Sequence, residues 1–136
     1  MRVSPKAEAN LRDFGLLVLR LVVGGFMLVR HGIPKVERFF QQPIEFGDPL
    51  GIGVLPGLSL AVFAEVACAA ALMLGLLSRL STVPLIITML VAAFVVHADD
   101  GFGKQELPLL FAVSYLTILL TGPGRYSLDA RIFHRR

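Results

Sequence analysis

The sequence predicts an all-α polytopic membrane protein, a four-transmembrane-helix bundle forming one domain over residues 1–136. Three observations predict it. The chain is 55% hydrophobic, with a mean hydropathy of +0.73, in only 136 residues. A soluble domain of this size has no core large enough to hide so much apolar surface. The apolar residues gather in four runs, each near the ~20 residues that a bilayer span requires. Lysine and arginine are divided unevenly between the two sides that four spans would create.

The first run gives a helix over about 14–31. It is not a cleaved leader, because it passes into Arg30-His31-Gly32-Ile33-Pro34-Lys35 and not into a small-residue cleavage site. Gly32 and Pro34 are expected to stop it. The stretch 35–55, with Pro43, Pro49, Gly51 and Gly53, reads as a long loop holding a short amphipathic piece at the membrane surface. Pro56 suits the first turn of a second helix over about 57–77. Residues 78–81 make a tight turn, and a third helix follows over 82–98 with Pro84 in its first turn. After the polar turn 99–105, a fourth helix spans 106–121, again opened by a proline, Pro108. Gly122-Pro123-Gly124 ends it. Ser127-Leu128-Asp129 is read as a cap for a short helix in the basic tail 122–136.

On four spans, Arg2, Lys6, Arg12, Arg79, Arg125, Arg131, Arg135 and Arg136 share one side. Arg30, Lys35, Arg38 and Lys104 share the other. That excess predicts a multi-pass membrane protein with both termini in the cytoplasm. The net charge of +3 and pI of about 9.5 read as topology signal and contact with anionic lipid. No aromatic-and-basic interleaving points to nucleic acid. The lone Cys68 excludes an internal disulfide and reads as a small packed residue. No P-loop, GxSxG or HExxH is present.

Ionisable groups inside spans are costly and therefore mark function. Here they are Arg20 and His31 on the first helix, Glu65 on the second, His97 ending the third and Glu106 opening the fourth. A rise of ~1.5 Å per residue puts His31, Glu65, His97 and Glu106 at about 18–25 Å from the cytoplasmic ends, all in the outer half. Helical spacing aligns Arg20, Gly24, Met27 and His31 on one face, and Ala61, Glu65, Ala69 and Leu72 on another. Glu106, Leu110, Val113 and Thr117 align on the fourth helix. A bundle would direct all five ionisable groups inward together.

Such a cluster suits a quinone. An apolar slot takes the ring, Arg20, His31, Glu65 and His97 would bind it, and Glu65, His97 and Glu106 would move its protons. The plainer readings are that Arg20 pairs with Glu65 and that the histidines and Glu106 sit at helix ends for electrostatic reasons. A metal held by two histidines and two carboxylates is a weaker reading, because no Glu-x-x-His pair is present, and a haem between His31 and His97 is weaker still, because the chain is short of room for a macrocycle.

Taken in order, the pieces Leu19-Arg20-Leu21, His31-Gly32-Ile33-Pro34-Lys35, Glu65 in an alanine-rich helix, Leu74-Gly75-Leu76-Leu77-Ser78-Arg79, His97 with Asp100-Gly101-Phe102, Glu106 and Gly122-Pro123-Gly124-Arg125-Tyr126-Ser127-Leu128-Asp129 resemble the DoxX family of small bacterial membrane proteins. The resemblance runs from Leu16 to about Leu128 and includes a His-Gly-x-x-Lys pattern. It implies four membrane helices in a bacterial inner (plasma) membrane and a link to quinone-coupled oxidation of sulfur compounds, through relatives of thiosulfate:quinone oxidoreductase subunits. The leading expectation is a quinone-reactive redox subunit that needs a partner protein to supply electrons, since the chain has no cofactor motif of its own. A non-catalytic anchor or assembly protein for a redox complex is the alternative, and a small-molecule or ion transporter, functioning as a homo-oligomer, ranks last.

Overall fold

A computed structural model describes residues 4–133, so Arg2, Arg135 and Arg136 lie outside the described residues. Among these residues all regular structure is helical. Three helices are long and apolar enough to cross a membrane: α1 (Pro5–Arg38), α2 (Val54–Leu74) and α3 (Ser78–Val96). The fourth long helix, α4 (Phe102–Thr121), opens with Lys104, Gln105 and Glu106 and falls outside that set. A short helix, α5 (Leu128–Phe133), closes the described chain.

The helices form a ring in which α1 packs on α2, α2 on α3, α3 on α4, and α4 returns to α1. Val23, Met27, Ala69, Leu72, Leu85, Met89, Tyr115 and Ile118 fill its centre, with Cys68 buried among them. Outward, Phe14, Phe26, Phe63, Ile87, Phe94, Leu110 and Leu120 are exposed around the bundle. In water such a belt would drive aggregation; in lipid it is the natural outer surface.

Boundaries differ from expectation in four places, each for a local reason. First, α1 is not stopped by Gly32 and Pro34. Residues Leu28–Gly32 adopt π-helical turns, with the Ile33 N–H donating to Leu28 O, and the helix continues to Arg38. A π turn already offsets the hydrogen-bond ladder, so the N–H that Pro34 lacks is lost where the ladder is broken anyway. Second, α2 ends at Leu74. Gly75, at φ +70°, closes a Schellman motif in which its N–H donates to Leu72 O and the Leu76 N–H to Ala71 O. The turn therefore falls at 75–77 rather than 78–81. Third, α3 and α4 each begin about one turn early, at Ser78 and Phe102, so Pro84 and Pro108 lie inside the helices and not in their first turns. Fourth, the long loop shrinks to 39–53 and contains no helix. It is organised by Asp48, whose carboxylate accepts from the backbone N–H groups of Ile52 and Gly53, both at 3.0 Å.

The close approach of α1 to α2 depends on Gly24 and Gly32. A Cβ on Gly32 would stand 2.5 Å from Glu65 O and 2.8 Å from Val66 Cγ2. Relief requires the helices to part, since the first obstacle is backbone. Gly32→Ala is expected to lower stability by ~2 kcal/mol, the usual scale of overpacking. Gly15→Ala, where nothing lies within 4 Å, should be neutral or slightly stabilising. Thermal unfolding of both variants in detergent checks this, and equal midpoints would contradict the packing argument.

Candidate functional site

At the end of the bundle where α1 runs into the 39–53 loop, the helices open into a cavity of about 520 Å³. Its wall is chiefly apolar: Phe46, Leu60, Ile87, Met89, Leu107 and Phe111 contribute, and Pro49 and Leu50 of the loop lie across it. The polar side chains that line it are few: His31, Lys35, Asp48, Glu65, Thr88 and His97.

Three π-helical segments position these groups. Leu28–Gly32 carries His31 on α1, Phe63–Cys68 carries Glu65 on α2, and Ala92–Val96 ends α3 immediately before His97. A π turn holds one extra residue and rotates the side chains around it relative to a regular helix, which is why such turns recur at functional sites. The His97 N–H donates to Ala92 O at 3.0 Å, the five-residue step that closes the third segment.

Glu65 is almost wholly buried, and its Oε2 accepts a hydrogen bond from Lys35 Nζ at 2.6 Å. The lysine side chain is itself mostly covered. A charge pair this far from water persists only with close geometry, which a 2.6 Å contact provides. Lys35 stands four residues beyond His31, on the same face of α1, and reaches α2 because α1 does not stop at Gly32. The His31 ring meets Phe111 edge to face, with centroids 6.2 Å apart, and Phe111 stacks on Tyr115 at 6.1 Å. Tyr115 in turn donates to Val23 O at 3.3 Å, tying α4 to α1 behind the cavity.

His97 sits at the α3 edge of the cavity, with Nδ1 2.7 Å from Oδ2 of Asp100, and Gln105 donates to its backbone carbonyl at 3.0 Å. Asp100 also faces Lys104 at 3.4 Å. The hydrogen bond from His97, with the lysine beside it, holds the Asp100 carboxyl below the usual carboxylate range. A lowered carboxylate favours the folded state above its ordinary range and loses that contribution as pH falls through the lowered value.

Of the residues that sequence singled out, the structure brings His31, Glu65 and His97 to one cavity. Two others lie elsewhere. Arg20 is fully buried, but at the opposite end of the bundle, and it does not meet Glu65. Its Nη1 donates to Leu72 O and Met73 O, both at 3.2 Å, and its Nη2 to Tyr126 O at 2.7 Å. It donates to carbonyls in the last turn of α2, one of which also accepts the Gly75 N–H, and fastens the C-terminal segment over them. Glu106 is exposed outside the cavity, as are Leu110, Val113 and Thr117. The inward face of α4 is instead Phe111, Ala112, Tyr115 and Ile118. Lys35 was missed because Gly32 and Pro34 read as a helix stop; its four-residue spacing from His31 was the signal. Among the described residues, no three His, Cys, Asp or Glu side chains converge as metal ligands.

Ser127 does cap α5, accepting from the Ala130 N–H at 3.1 Å. Asp129 acts on a different helix. Its carboxylate accepts from the N–H groups of Leu77 and Ser78, at 2.7 and 2.8 Å, and so caps α3 from another part of the chain.

The model of the DoxX family matches residues 15–98. An uncharacterized protein of Haemophilus influenzae is 30% identical over 132 residues, covering 91% of this chain and 95% of that protein. An uncharacterized membrane protein of Mycobacterium tuberculosis is 30% identical over 88% of this chain and 82% of its own length. The inner membrane protein YqjF of Escherichia coli is 26% identical, covering 88% of this chain and 93% of its own. No solved structure matches.

Proposed function

Since the chain belongs to the DoxX family of membrane proteins, we propose that it is a quinone-reactive redox subunit, with the cavity between α1, α2, α3 and α4 as its quinone site. The observation that carries the reading is the buried Lys35–Glu65 pair at 2.6 Å in a chiefly apolar cavity. A quinone ring asks for little else: an apolar slot, a donor to a ring carbonyl, and a group that exchanges protons beside it.

Each residue has a definite role in this reading. Lys35 donates to one ring carbonyl, while Glu65 holds its ammonium in place and exchanges protons with the ring oxygen. Phe111 and Met89 supply the apolar slot, and the tail leaves between the helices into lipid. His31 supplies a second donor. His97, paired with Asp100 near the exposed 97–101 turn, links the cavity to bulk protons. Reduction of a quinone to its quinol takes up two electrons and two protons, and the reverse releases them. The chain's own residues handle the protons, and a partner oxidoreductase handles the electrons, in sulfur-compound oxidation or redox homeostasis. On this reading the site faces the outer side of a bacterial inner membrane, with four spans and both termini in the cytoplasm, as the lysine and arginine excess implies.

The test is quinone retention. Purified in mild detergent, the protein should carry quinone detectable by mass spectrometry. Glu65→Gln, which keeps the shape and removes the exchangeable charge, should lose quinone-linked turnover by roughly a hundredfold or more, the scale of a lost acid–base group. Unchanged turnover in that variant would refute the proton role. The anchor reading draws on α5, whose Ile132 and Phe133 are exposed on a helix fastened by Arg20 and Asp129. It is favoured if partners co-purify equally with and without Glu65 and no quinone is ever retained.

A further inference from the structure

The end of the bundle opposite the cavity carries a second cleft, of about 670 Å³, between the start of α3, the end of α4 and the 122–127 turn. Three arginines line it: Arg12, Arg79 and Arg125. So do two carboxylates, but both are already engaged. Asp129 caps α3, and Asp13 is buried, with Arg12 Nη2 3.7 Å away. Arg125 donates to the neutral side-chain oxygen of Asn10 at 2.7 Å, and its guanidinium lies over the Tyr126 ring at 5.4 Å. Among the described residues, Arg79 reaches only the Leu120 carbonyl, at 3.5 Å. Among the described residues, no ion pair within 4.0 Å involves Arg79 or Arg125.

Apolar surface adjoins these cations. Leu80 and Phe133 line the same cleft and are 66% and 64% exposed. Guanidinium groups beside exposed apolar side chains, at the end of a bundle of membrane-spanning helices, match the two zones of a glycerophospholipid. Guanidinium is also the cation best suited to a phosphate, because its planar fork meets two oxygens at once.

We propose that this cleft binds the headgroup phosphate of an anionic glycerophospholipid, with Arg79 and Arg125 as its ligands and Leu80 and Phe133 against the acyl chains. The site stands apart from the quinone reading and survives its failure. Its occupant spans α1, α3 and α4, and so braces the end of the bundle that Arg20 and Asp129 already join.

The experiment uses the full chain in nonionic detergent, supplied with equal amounts of phosphatidylglycerol and phosphatidylcholine and read by native mass spectrometry. Phosphatidylglycerol should be retained in preference. Arg79→Gln/Arg125→Gln should reduce that preference roughly thirtyfold, given the usual worth of two basic side chains near anionic lipid. The control is Lys6→Gln/Arg131→Gln, which removes the same charge at the same end of the bundle from exposed residues outside the cleft. It should retain the preference. Equal retention of both lipids by the unaltered chain would overturn the proposal, as would equal losses in the two double variants. A second measurement requires no variant: phosphatidylglycerol should raise the thermal midpoint of the unaltered chain, and millimolar inorganic phosphate should not. An equal rise with phosphate would mean that the cleft takes a free anion. Displacement of the lipid by an acidic peptide at equal concentration would mean a protein partner. Either result contradicts the lipid assignment.

Discussion

Lys35→Met is expected to destabilise the protein by ~3–5 kcal/mol, the scale seen when one partner of a buried ion pair is removed. The loss is not that of a salt bridge at a surface, which is worth ~0–1 kcal/mol. It arises because the Glu65 side chain, 3% exposed, is left with a charge and no counter-ion. The same logic predicts the rescue. Lys35→Met/Glu65→Gln removes both charges and keeps the volume, so it should be more stable than Lys35→Met alone. Glu65→Gln alone should cost less than Lys35→Met, since the Lys35 side chain is 19% exposed against 3% for Glu65, and its ammonium can turn toward the headgroups. A double-mutant cycle by thermal or denaturant unfolding in detergent should therefore show a coupling of ~2 kcal/mol or more. Additive single effects would mean that the two residues are not paired in solution.

Arg20→Met is the second large effect, expected at ~2–4 kcal/mol from the loss of three charge-assisted hydrogen bonds in a buried place. The guanidinium joins three parts of the chain: it sits on α1, holds the last carbonyls of α2 at Leu72 and Met73, and holds Tyr126 O just before α5. Gly75 is constrained by the same contact, because a Cβ there would run into Arg20 Nη1 and Ser127. Arg20→Lys should rescue little, since an ammonium on a flexible stem cannot reach carbonyls on two sides with two nitrogens. The expected signature beyond stability is faster amide exchange at Leu77 and Ser78. Their cap, Asp129, depends on the tail that Arg20 secures. Full rescue by lysine, or unchanged exchange at those amides, would contradict the staple.

Much of this architecture was legible in the sequence, and the parts that were not share a cause. Apolar runs set the all-helical class and the order of the long helices, three of which are long and apolar enough to cross a membrane. The face Ala61, Glu65, Ala69 and Leu72 was correct because small residues and one acid on an apolar helix leave only one inward arrangement. Stop signals failed at Gly32 and Pro34 because they describe regular α-helix, and the π turns at Leu28–Gly32 absorb the defect that a proline creates. Lys35 was lost with that boundary. The facing of α4 failed for a different reason. Its residues from Leu107 to Leu120 are apolar nearly all round, so Glu106 was the one charged marker in the helix expected over 106–121. It stands near the helix end, where headgroups and water accept a carboxylate without a partner. Arg20 was recognised as buried and costly, but its spacing cannot reveal that α2 ends within its reach. Only the Schellman turn at Gly75 brings those carbonyls there.

The most direct test of the central claim exploits the absence of tryptophan from the sequence. Phe111→Trp would place a lone indole in the cavity wall, and Leu116→Trp a lone indole on the exposed side of α4. A short-chain quinone should quench the Phe111→Trp fluorescence saturably, and that saturation should vanish when Glu65→Gln is added. Quenching of the Leu116→Trp fluorescence should rise only linearly, by collision from the micelle. Linear quenching of both variants, unaffected by Glu65→Gln, would contradict a quinone site in this cavity.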